Sequence, residues 1–401
     1  MSNLNQTPAA NRIHIGFFGR RNAGKSSLVN AVTAQTVSIV SDTKGTTTDP
    51  VYKSMELLPL GPVVIIDTPG LDDEGELGEK RVERARRTLA KTDIAVVVAD
   101  AAIGLTQEDK ALIDLLKKRA VPFVTVFNKH DLAPDALLPE DALFTSTLTG
   151  EGIEELKERI AALSKPADSD RRILSDLLSP GDMVVLVTPI DASAPKGRMI
   201  LPQVQTIRDI LDKRAMCITV QTEELPQALA ALKNPPRLVV TDSQVFGMVK
   251  NMVPPEIPLT SFSILFARFK GILETAVRGA AVLDTLPEGA NILICEGCTH
   301  HRQCEDIGTV KLPGWIRRHT GKDFAFHFTS GGEFPEDLSG YQLIVHCGGC
   351  MLNEKEMRYR LLTSQDSRIP FTNYGTLIAY MNGILCRSLE FFPDLAAIIP
   401  E

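Results

Sequence analysis

Aromatic residues are scarce in this sequence, and long hydrophobic runs are missing. Only 5% of its 401 residues are aromatic, and it has one tryptophan. No stretch approaches the ~20 consecutive apolar residues that a membrane-spanning helix needs. Residues 1–12 are polar and lack the apolar segment of a secretory signal. We therefore expect a cytoplasmic protein without a membrane partner.

An excess of positive charge is also missing. Lys and Arg number 43 against 50 Asp and Glu, which gives a formal charge of −7. Because proteins that bind nucleic acid through its phosphates usually present a basic surface, we expect no nucleic-acid partner. Apolar residues make up 44% and charged residues 23% of the chain, as in ordinary globular proteins. A chain of this length is expected to form more than one domain.

Short apolar runs alternate with longer helical patterns, which is typical of α/β folds with parallel sheets. Strands are predicted at Ile13–Phe18, Val63–Ile66, Ile94–Ala99, Phe123–Phe127, Met183–Thr188, Met216–Val220, Leu238–Thr241, Ile292–Cys295, Phe324–Phe328, Leu343–His346 and Ile369–Phe371. A polar, proline-containing segment at 164–172 predicts a linker. We therefore predict three α/β units, at residues 1–166, 173–270 and 275–401.

A phosphate-binding loop is predicted directly after the first strand. Residues 19–26 read G-R-R-N-A-G-K-S, which fits GxxxxGK[ST] between a strand and a helix. In such a loop, backbone N–H groups at a helix N-terminus surround the phosphates. Lys25 would contact the β- and γ-phosphates, and the Ser26 hydroxyl would ligate Mg²⁺. The predicted nucleotide-binding residues of this loop are Asn22, Ala23, Gly24, Lys25, Ser26 and Ser27.

Two later motifs indicate that the nucleotide is GTP. The motif Asp67-Thr68-Pro69-Gly70 ends a strand, where Asp67 can hold Mg²⁺ through water and the Gly70 N–H can contact the γ-phosphate. Asn128-Lys129-His130-Asp131 ends another strand. Asp131 can accept hydrogen bonds from both N1–H and N2–H₂ of guanine, a pairing that adenine does not offer. Asn128 would contact the guanine edge or hold the loop, and Lys129 would pack its stem on the ring.

These motifs resemble GTPases of the translation-factor class, in particular the tRNA-modification and Era-like branch. The resemblance implies that Thr47, rather than Thr46, is a second Mg²⁺ ligand. It also implies that Ser146 and Thr147 back the guanine base.

The residue after the DTPG motif is Leu71, where Ras-like enzymes have a glutamine. In relatives with an apolar residue here, hydrolysis is slow, and some bind K⁺ through an asparagine at the position of Asn22. The resemblance therefore implies slow, potassium-stimulated hydrolysis; the alternative is that Asn22 only caps the loop. The predicted catalytic residues are Lys25, Asn22, Thr47 and Gly70.

Cysteines are concentrated late in the chain. Five of the seven are Cys295, Cys298, Cys304, Cys347 and Cys350. Cys298 and the Cys347/Cys350 pair each follow a predicted strand, so their thiols would meet if those strands are neighbours in a parallel sheet. This spacing fits structural zinc, with His300 or His346 as the fourth ligand, or an iron–sulfur cluster. The third alternative is a set of buried or incidental cysteines. We expect Cys295 to be structural, and Cys217 and Cys386 to lie in the core.

The GTPase motifs combined with a CxH…HCxxC tail resemble the HydF family, the GTPase maturation factors of diiron (FeFe) hydrogenases. The resemblance covers essentially the whole chain and implies a dimerisation domain at 173–270, hence a homodimer, and a cluster-binding domain at 275–401. It further implies a 4Fe-4S cluster held by Cys298, Cys347 and Cys350. The protein would act as a scaffold or carrier that delivers a two-iron subcluster to the apo-hydrogenase, alongside radical-SAM maturases.

The fourth cluster position is left open by the sequence. Glu305 and His346 are the preferred candidates, ahead of His300, because a carboxylate or imidazole binds iron less tightly than a thiolate would. Cys304 could also ligate, but it would fill the site more firmly. The alternative for the whole protein is an RNA-directed GTPase with a structural zinc, for which residues 315–319 are the candidate basic patch. A redox enzyme would need a second cofactor motif, and the sequence shows none.

Overall fold

The computed structural model describes residues 12–33, 50–58, 60–68, 70, 88–135, 142–164, 172–190, 199–297, 307–331, 334–335 and 337–399. The chain divides into two compact units, Met1–Ser169 and Asp170–Glu401. Within these ranges, no helix is both long and apolar enough to cross a membrane.

The first unit is built on a six-stranded sheet. Its strands are β1 (Ile13–Phe18), β2 (Val51–Leu57), β3 (Gly61–Asp67), β4 (Ile94–Asp100), β5 (Phe123–Asn128) and β6 (Leu143–Thr145). Their order is β2-β3-β1-β4-β5-β6, and β2 alone runs antiparallel to its neighbour. The helices are α1 (Lys25–Thr33), α2 (Gln107–Lys118) and α3 (Ile153–Leu163), with a 3₁₀ turn at His130–Leu132.

Buried apolar strands and helix capping explain this architecture. Residues 94–99 of β4 are all buried, as expected for a central strand of a parallel sheet covered on both faces. Helix α2 begins with a capping box, in which Thr106 and Asp109 satisfy each other's backbone N–H groups. It then buries Leu112 and Leu116, which are one helical turn apart.

The second unit contains two four-stranded parallel sheets. The first comprises β7 (Met183–Val187), β8 (Met216–Val220), β9 (Leu238–Thr241) and β10 (Leu259–Ser261), in the order β10-β9-β7-β8. The second comprises β11 (Asn291–Glu296), β12 (Ala325–Ser330), β13 (Leu343–His346) and β14 (Phe371–Asn373), in the order β12-β11-β13-β14.

The helices of the second unit flank these two sheets. They are α4 (Leu201–Asp212), α5 (Leu225–Ala231), α6 (Phe246–Met252), α7 (Phe262–Phe269), α8 (Leu273–Ala281), α9 (Leu312–Thr320), α10 (Glu354–Asp366), α11 (Tyr374–Met381), α12 (Leu385–Ser388) and α13 (Pro393–Ala396). A π-helical turn at Ile307–Lys311 precedes α9. Further 3₁₀ turns lie at Ser175–Leu177, Ser243–Val245 and Val282–Thr285. One hydrophobic core includes residues of both sheets, among them Val239 and Ile344, so the two predicted α/β units pack together.

Every strand predicted from the sequence is present, with ends within two residues of those expected. Among the residues that the structure describes, three further strands were missed, namely β2, β6 and β10. Strand β2 alternates half-buried and exposed residues at the sheet edge, so it is not an apolar run. Strands β6 and β10 have 3 residues each, too few for a periodic signal.

Candidate functional site

The phosphate-binding loop packs directly against the guanine motif. Gly24 has φ +89°, and a Cβ there would lie 2.2 Å from Asn128 Nδ2, so only glycine fits. The buried Asn128 Nδ2 donates to the carbonyl of Ala23 at 3.1 Å, while its Oδ1 accepts from Thr145 Oγ1 at 3.2 Å. Asn128 therefore holds the loop, which is one of the two roles expected for it.

Lys25 and Asn22 lie in this loop as the motif requires. The Lys25 ammonium donates to the carbonyls of Gly19 at 3.0 Å and Arg20 at 2.8 Å, within the loop that would surround the phosphates. Asn22 is exposed and adopts a left-handed φ of 60°. Ala23 is a buried residue of the loop. Ser27 lies in the first turn of α1 and is half-buried.

Ser26 and Asp67 form a site that fits Mg²⁺. Ser26 Oγ donates to Asp67 Oδ2 at 2.6 Å, which joins the phosphate-binding loop to the end of β3. The other oxygen, Asp67 Oδ1, is buried and accepts no hydrogen bond from the part of the chain that the structure describes. A buried carboxylate oxygen without a donor is costly, and a hydrated cation would satisfy it.

Gly70 lies against the same loop: a Cβ there would come within 2.8 Å of the Arg21 backbone nitrogen. Thr47, the expected second hydroxyl ligand, lies outside the described residues.

The guanine-specificity residues come together on the loops after β5 and β6. Asp131 Oδ1 accepts from Ser146 Oγ at 2.5 Å, so the buried serine orients the carboxylate. Lys129 adopts φ 62°, and its Nζ lies 2.8 Å from Asp100 Oδ2. Thr147 follows Ser146 and is half-buried. This arrangement leaves a carboxylate positioned to recognise a guanine edge.

The cysteine region lies at the carboxyl edge of the second sheet of the second unit. Strands β11 and β13 are neighbours in a parallel sheet, which is the condition on which the predicted meeting of the thiols depends, and Cys295 pairs with His346 across them. The Cys347 sulfur accepts backbone N–H bonds from Gly297 at 3.0 Å and Gly349 at 3.3 Å. Such donors stabilise the thiolate form of a cysteine, and the thiolate is the form that binds metal.

Only part of the predicted metal site can be described. Cys298, His300 and Glu305, together with Cys304, fall among the residues that the structure leaves undescribed. Within the described ranges, no group of three or more His, Cys, Asp or Glu residues could hold a metal ion. Of the predicted thiol ligands, the structure thus describes one pair, Cys347 and Cys350, which lie on a turn between β13 and the helix Glu354–Asp366.

The turn that carries this pair depends on Gly349, which has φ +59°. A Cβ there would lie 2.5 Å from the Met357 sulfur, so Gly349 is sterically required. Gly348 has open space around its Cβ position, so it is not required for the turn in the same way. Burial and the neighbouring Cys347 raise the pKa of Cys350.

His346 is not placed to ligate a metal, contrary to the sequence-based expectation. The side chain is fully buried, with Nδ1 2.7 Å from the carbonyl of Cys347 and Nε2 3.0 Å from Arg360 Nη1. A carbonyl requires a donor and a guanidinium requires an acceptor, so the network assigns a neutral ring protonated at Nδ1. Both ring nitrogens are therefore engaged by the protein itself.

Three functional candidates were missed by sequence reasoning. Arg360 and Glu356 form a buried ion pair behind His346, and Lys270 contacts the turn that bears the thiols. The spacing of four residues between Glu356 and Arg360 is typical of an ion pair on one face of a helix, so the pair could have been predicted from the sequence. The sequence does not show that the pair is buried.

The other cysteines differ in their surroundings. Cys295 is buried, which raises its pKa to about 12, and it belongs to the core as expected. Cys217 is half-buried and packs against a hydrophobic cluster. Cys386 is exposed, so the expectation of a core position was wrong. The short helix α12 presents it outward although its neighbour Leu385 is buried.

Comparison with protein families decides the classification. Residues 274–391 match the hydrogen maturase F tetramerization domain, and residues 173–271 match the hydrogen maturase F dimerization domain. Residues 14–129 match the 50S ribosome-binding GTPase model. The two maturase models together span more than half of the chain.

This chain belongs to the hydrogen maturase F family. Its first unit carries a GTPase domain, and its second unit carries two domains whose descriptions name oligomer formation. The sequence-based expectation was a homodimer, and the two models support oligomer formation. The region expected to bind the cluster is the one that this model matches.

The curated relatives of this chain include GTPases. GTPase Der of Kosmotoga olearia is 32% identical over 176 residues, which cover 39% of this chain and 40% of the relative. The tRNA modification GTPase MnmE of Helicobacter pylori (strain Shi470) is 34% identical over 171 residues, covering 40% and 38%. The chain thus spans about two fifths of the length of these relatives.

Among solved structures, the G domain of the T. maritima FeoB iron transporter is 25% identical, with a TM-score of 0.30. The match covers 38% of this maturase and 99% of that chain.

Proposed function

We propose that this protein is a GTP-hydrolysing scaffold that holds a 4Fe-4S cluster and delivers the two-iron subcluster to apo FeFe-hydrogenase. The observation that carries the proposal is the Cys347 sulfur, which accepts two backbone N–H bonds at the carboxyl edge of a sheet. Hydrogen bonds to thiolate sulfur are a feature of iron–sulfur ligation. A maturase with a GTPase unit and such a thiol site is suited to cluster handling.

Cys298, Cys347 and Cys350 would supply the three thiolate ligands. Bound there, the cluster would leave one iron open to an exchangeable ligand, which suits a site that must admit an incoming cargo. Because His346 is engaged elsewhere, Glu305 and His300 are the remaining preferred candidates from the sequence, and Cys304 is the less favoured one. Free thiolates of this kind require a reducing compartment, which favours a cytoplasmic location.

The GTPase unit would regulate this handling. GTP would bind with Mg²⁺ held by Ser26, Thr47 and, through water, Asp67. Lys25 would neutralise charge on the β- and γ-phosphates, and Asn22 would bind the K⁺ that stimulates a slow hydrolysis. The partners would be the apo-hydrogenase and the radical-SAM maturases.

Residues 315–319, the candidate basic patch of the RNA-directed alternative, are partly neutralised by acidic neighbours in the structure. In helix α9, Arg317 bonds to Asp323 at 2.6 Å, and His319 Nε2 lies 3.0 Å from Asp284. These two basic residues are thus paired with acidic neighbours on a solvated helix face. The observation favours the scaffold over a nucleic-acid binder.

Two single variants test the proposal by separating its two activities. Lys25→Ala should abolish GTP hydrolysis and leave the iron and labile-sulfide content of the anaerobically purified protein unchanged. Cys347→Ala should do the reverse, because the thiolate and the phosphate-binding loop lie in different compact units. Loss of both properties in either variant would contradict this division of labour.

A further inference from the structure

Lys270 connects the dimerization domain to the turn that carries the thiols. It follows directly after α7, at the end of the region that matches the dimerization model. Its ammonium donates hydrogen bonds to the carbonyls of Gly349 and Leu352, the latter at 3.1 Å. Both carbonyls belong to the segment between β13 and α10, in the region that matches the tetramerization model.

The two carbonyls lie on either side of the turn, so the lysine spans it. Leu352 N also donates to the Gly349 carbonyl at 3.0 Å, which closes the turn locally. Cys347 and Cys350 lie on this same short segment. A single cation from a distant part of the chain thus helps to set the backbone from which both sulfurs project.

The ammonium also places a positive charge beside the thiols. Burial lowers the pKa of Lys270 to about 8, while the negative forms of Cys350 and Cys347 and the carboxylate of Glu354 act to raise it. A cation in low-dielectric surroundings interacts more strongly with nearby anions than it would in water. A thiolate-bound cluster would add such negative charge.

We infer that the dimerization domain completes the cysteine site, with Lys270 as a positioning residue that holds the 347–352 turn and stabilises negative charge on whatever its thiolates bind. The inference rests on the proposed function for the identity of that ligand. The contact between Lys270 and the turn does not depend on it. Cluster binding is thereby a property of the two maturase domains together.

The test uses three variants of the full-length protein, reconstituted anaerobically with iron and sulfide. Lys270→Met removes the charge and the donors at similar volume, whereas Lys270→Arg keeps the charge. Lys250→Met is the matched control, because Lys250 also belongs to the dimerization region and donates to a distant carbonyl, that of Asn382 at 3.0 Å, outside the turn.

Two measurements are made on each reconstituted variant. The midpoint potential of the cluster should become more negative in Lys270→Met, because the reduced cluster carries more negative charge and loses its neighbouring cation. Lys270→Arg should stay closer to the wild type. Iron release to a chelator should be several-fold faster in Lys270→Met, and Lys250→Met should match the wild type in both measurements.

Hydrogen exchange of the metal-free proteins separates this inference from the proposed function. Amides of residues 347–352 should exchange faster in Lys270→Met than in Lys250→Met. If the wild type binds no iron and sulfide, the proposed function fails, and the positioning role is decided by this exchange alone. Unchanged potential and exchange in Lys270→Met, or equal changes in Lys250→Met, would overturn the inference.

Discussion

Replacing Arg360 by methionine should strongly destabilise the second unit. Arg360 is fully buried, and its Nε and Nη2 both donate to Glu356 Oε1, at 3.0 and 2.9 Å. Nη2 also donates to the carbonyl of Gly331 at 2.7 Å, and Nη1 to His346 Nε2 at 3.0 Å. The substitution would take the guanidinium cation away from the buried Glu356 carboxylate.

The expected cost follows from the loss of that cation. Removing one partner of a buried ion pair typically costs about 3–5 kcal/mol, whereas replacing both by apolar residues is often neutral. For a unit of this size, 1 kcal/mol corresponds to roughly 2–4 °C in Tm, so we expect a decrease of about 6–20 °C. The double variant Arg360→Met/Glu356→Leu should recover most of this loss.

Urea titration followed by tryptophan fluorescence is a suitable assay. The single tryptophan, Trp315, lies in α9 and packs against the core of the second unit, so it reports on that unit alone. Arg358→Met, an exposed change on the same helix, is the control and should stay within about 0.5 kcal/mol of the wild type. A cost below about 1 kcal/mol for Arg360→Met, or a double variant as unstable as the single, would refute the reasoning.

Two further predictions concern the nucleotide and acid pH. Asp131→Asn should weaken GTP binding at least ~100-fold, because two charge-assisted hydrogen bonds of roughly 1.5–3 kcal/mol each are lost. The same change should strengthen the binding of xanthosine triphosphate. An unchanged affinity for GTP in calorimetry would contradict this prediction. Burial acts to raise the pKa of Asp176, but its hydrogen bond to Arg268 and the charge of that residue lower it overall. This half-exposed pair therefore stabilises the fold above the ordinary pKa of about 3.9 and stops doing so as the pH falls below it. Asp176→Asn should cost up to ~1 kcal/mol at pH 7 and progressively less as the pH falls below about 3.9, and a cost that does not change with pH would contradict the assignment.

The GTPase motifs were readable from the sequence because each is a contiguous segment with one backbone geometry. The 19–26 loop, for example, needs its glycines and its following helix, and both are visible in the residue order. The parallel strands could also be predicted, because each is a contiguous run of apolar residues. Strand β2 was missed because it is an exposed edge that pairs antiparallel with β3.

The surroundings of the thiols were not readable, because they depend on contacts between distant segments. Lys270 lies 79 residues before Gly349, and no motif joins them. His346 was assigned to the metal by residue type and proximity in sequence. The fold instead encloses its ring between Arg360 and the Cys347 carbonyl, and sequence spacing does not reveal that direction.

Iron and labile-sulfide analysis of the anaerobically reconstituted wild type, with EPR of the reduced sample, tests the central claim most directly. The account predicts about four irons and four sulfides per chain, as a 4Fe-4S cluster requires, and a reduced-cluster signal that Cys347→Ala abolishes. One zinc per chain without sulfide would contradict the scaffold and favour the RNA-directed GTPase instead.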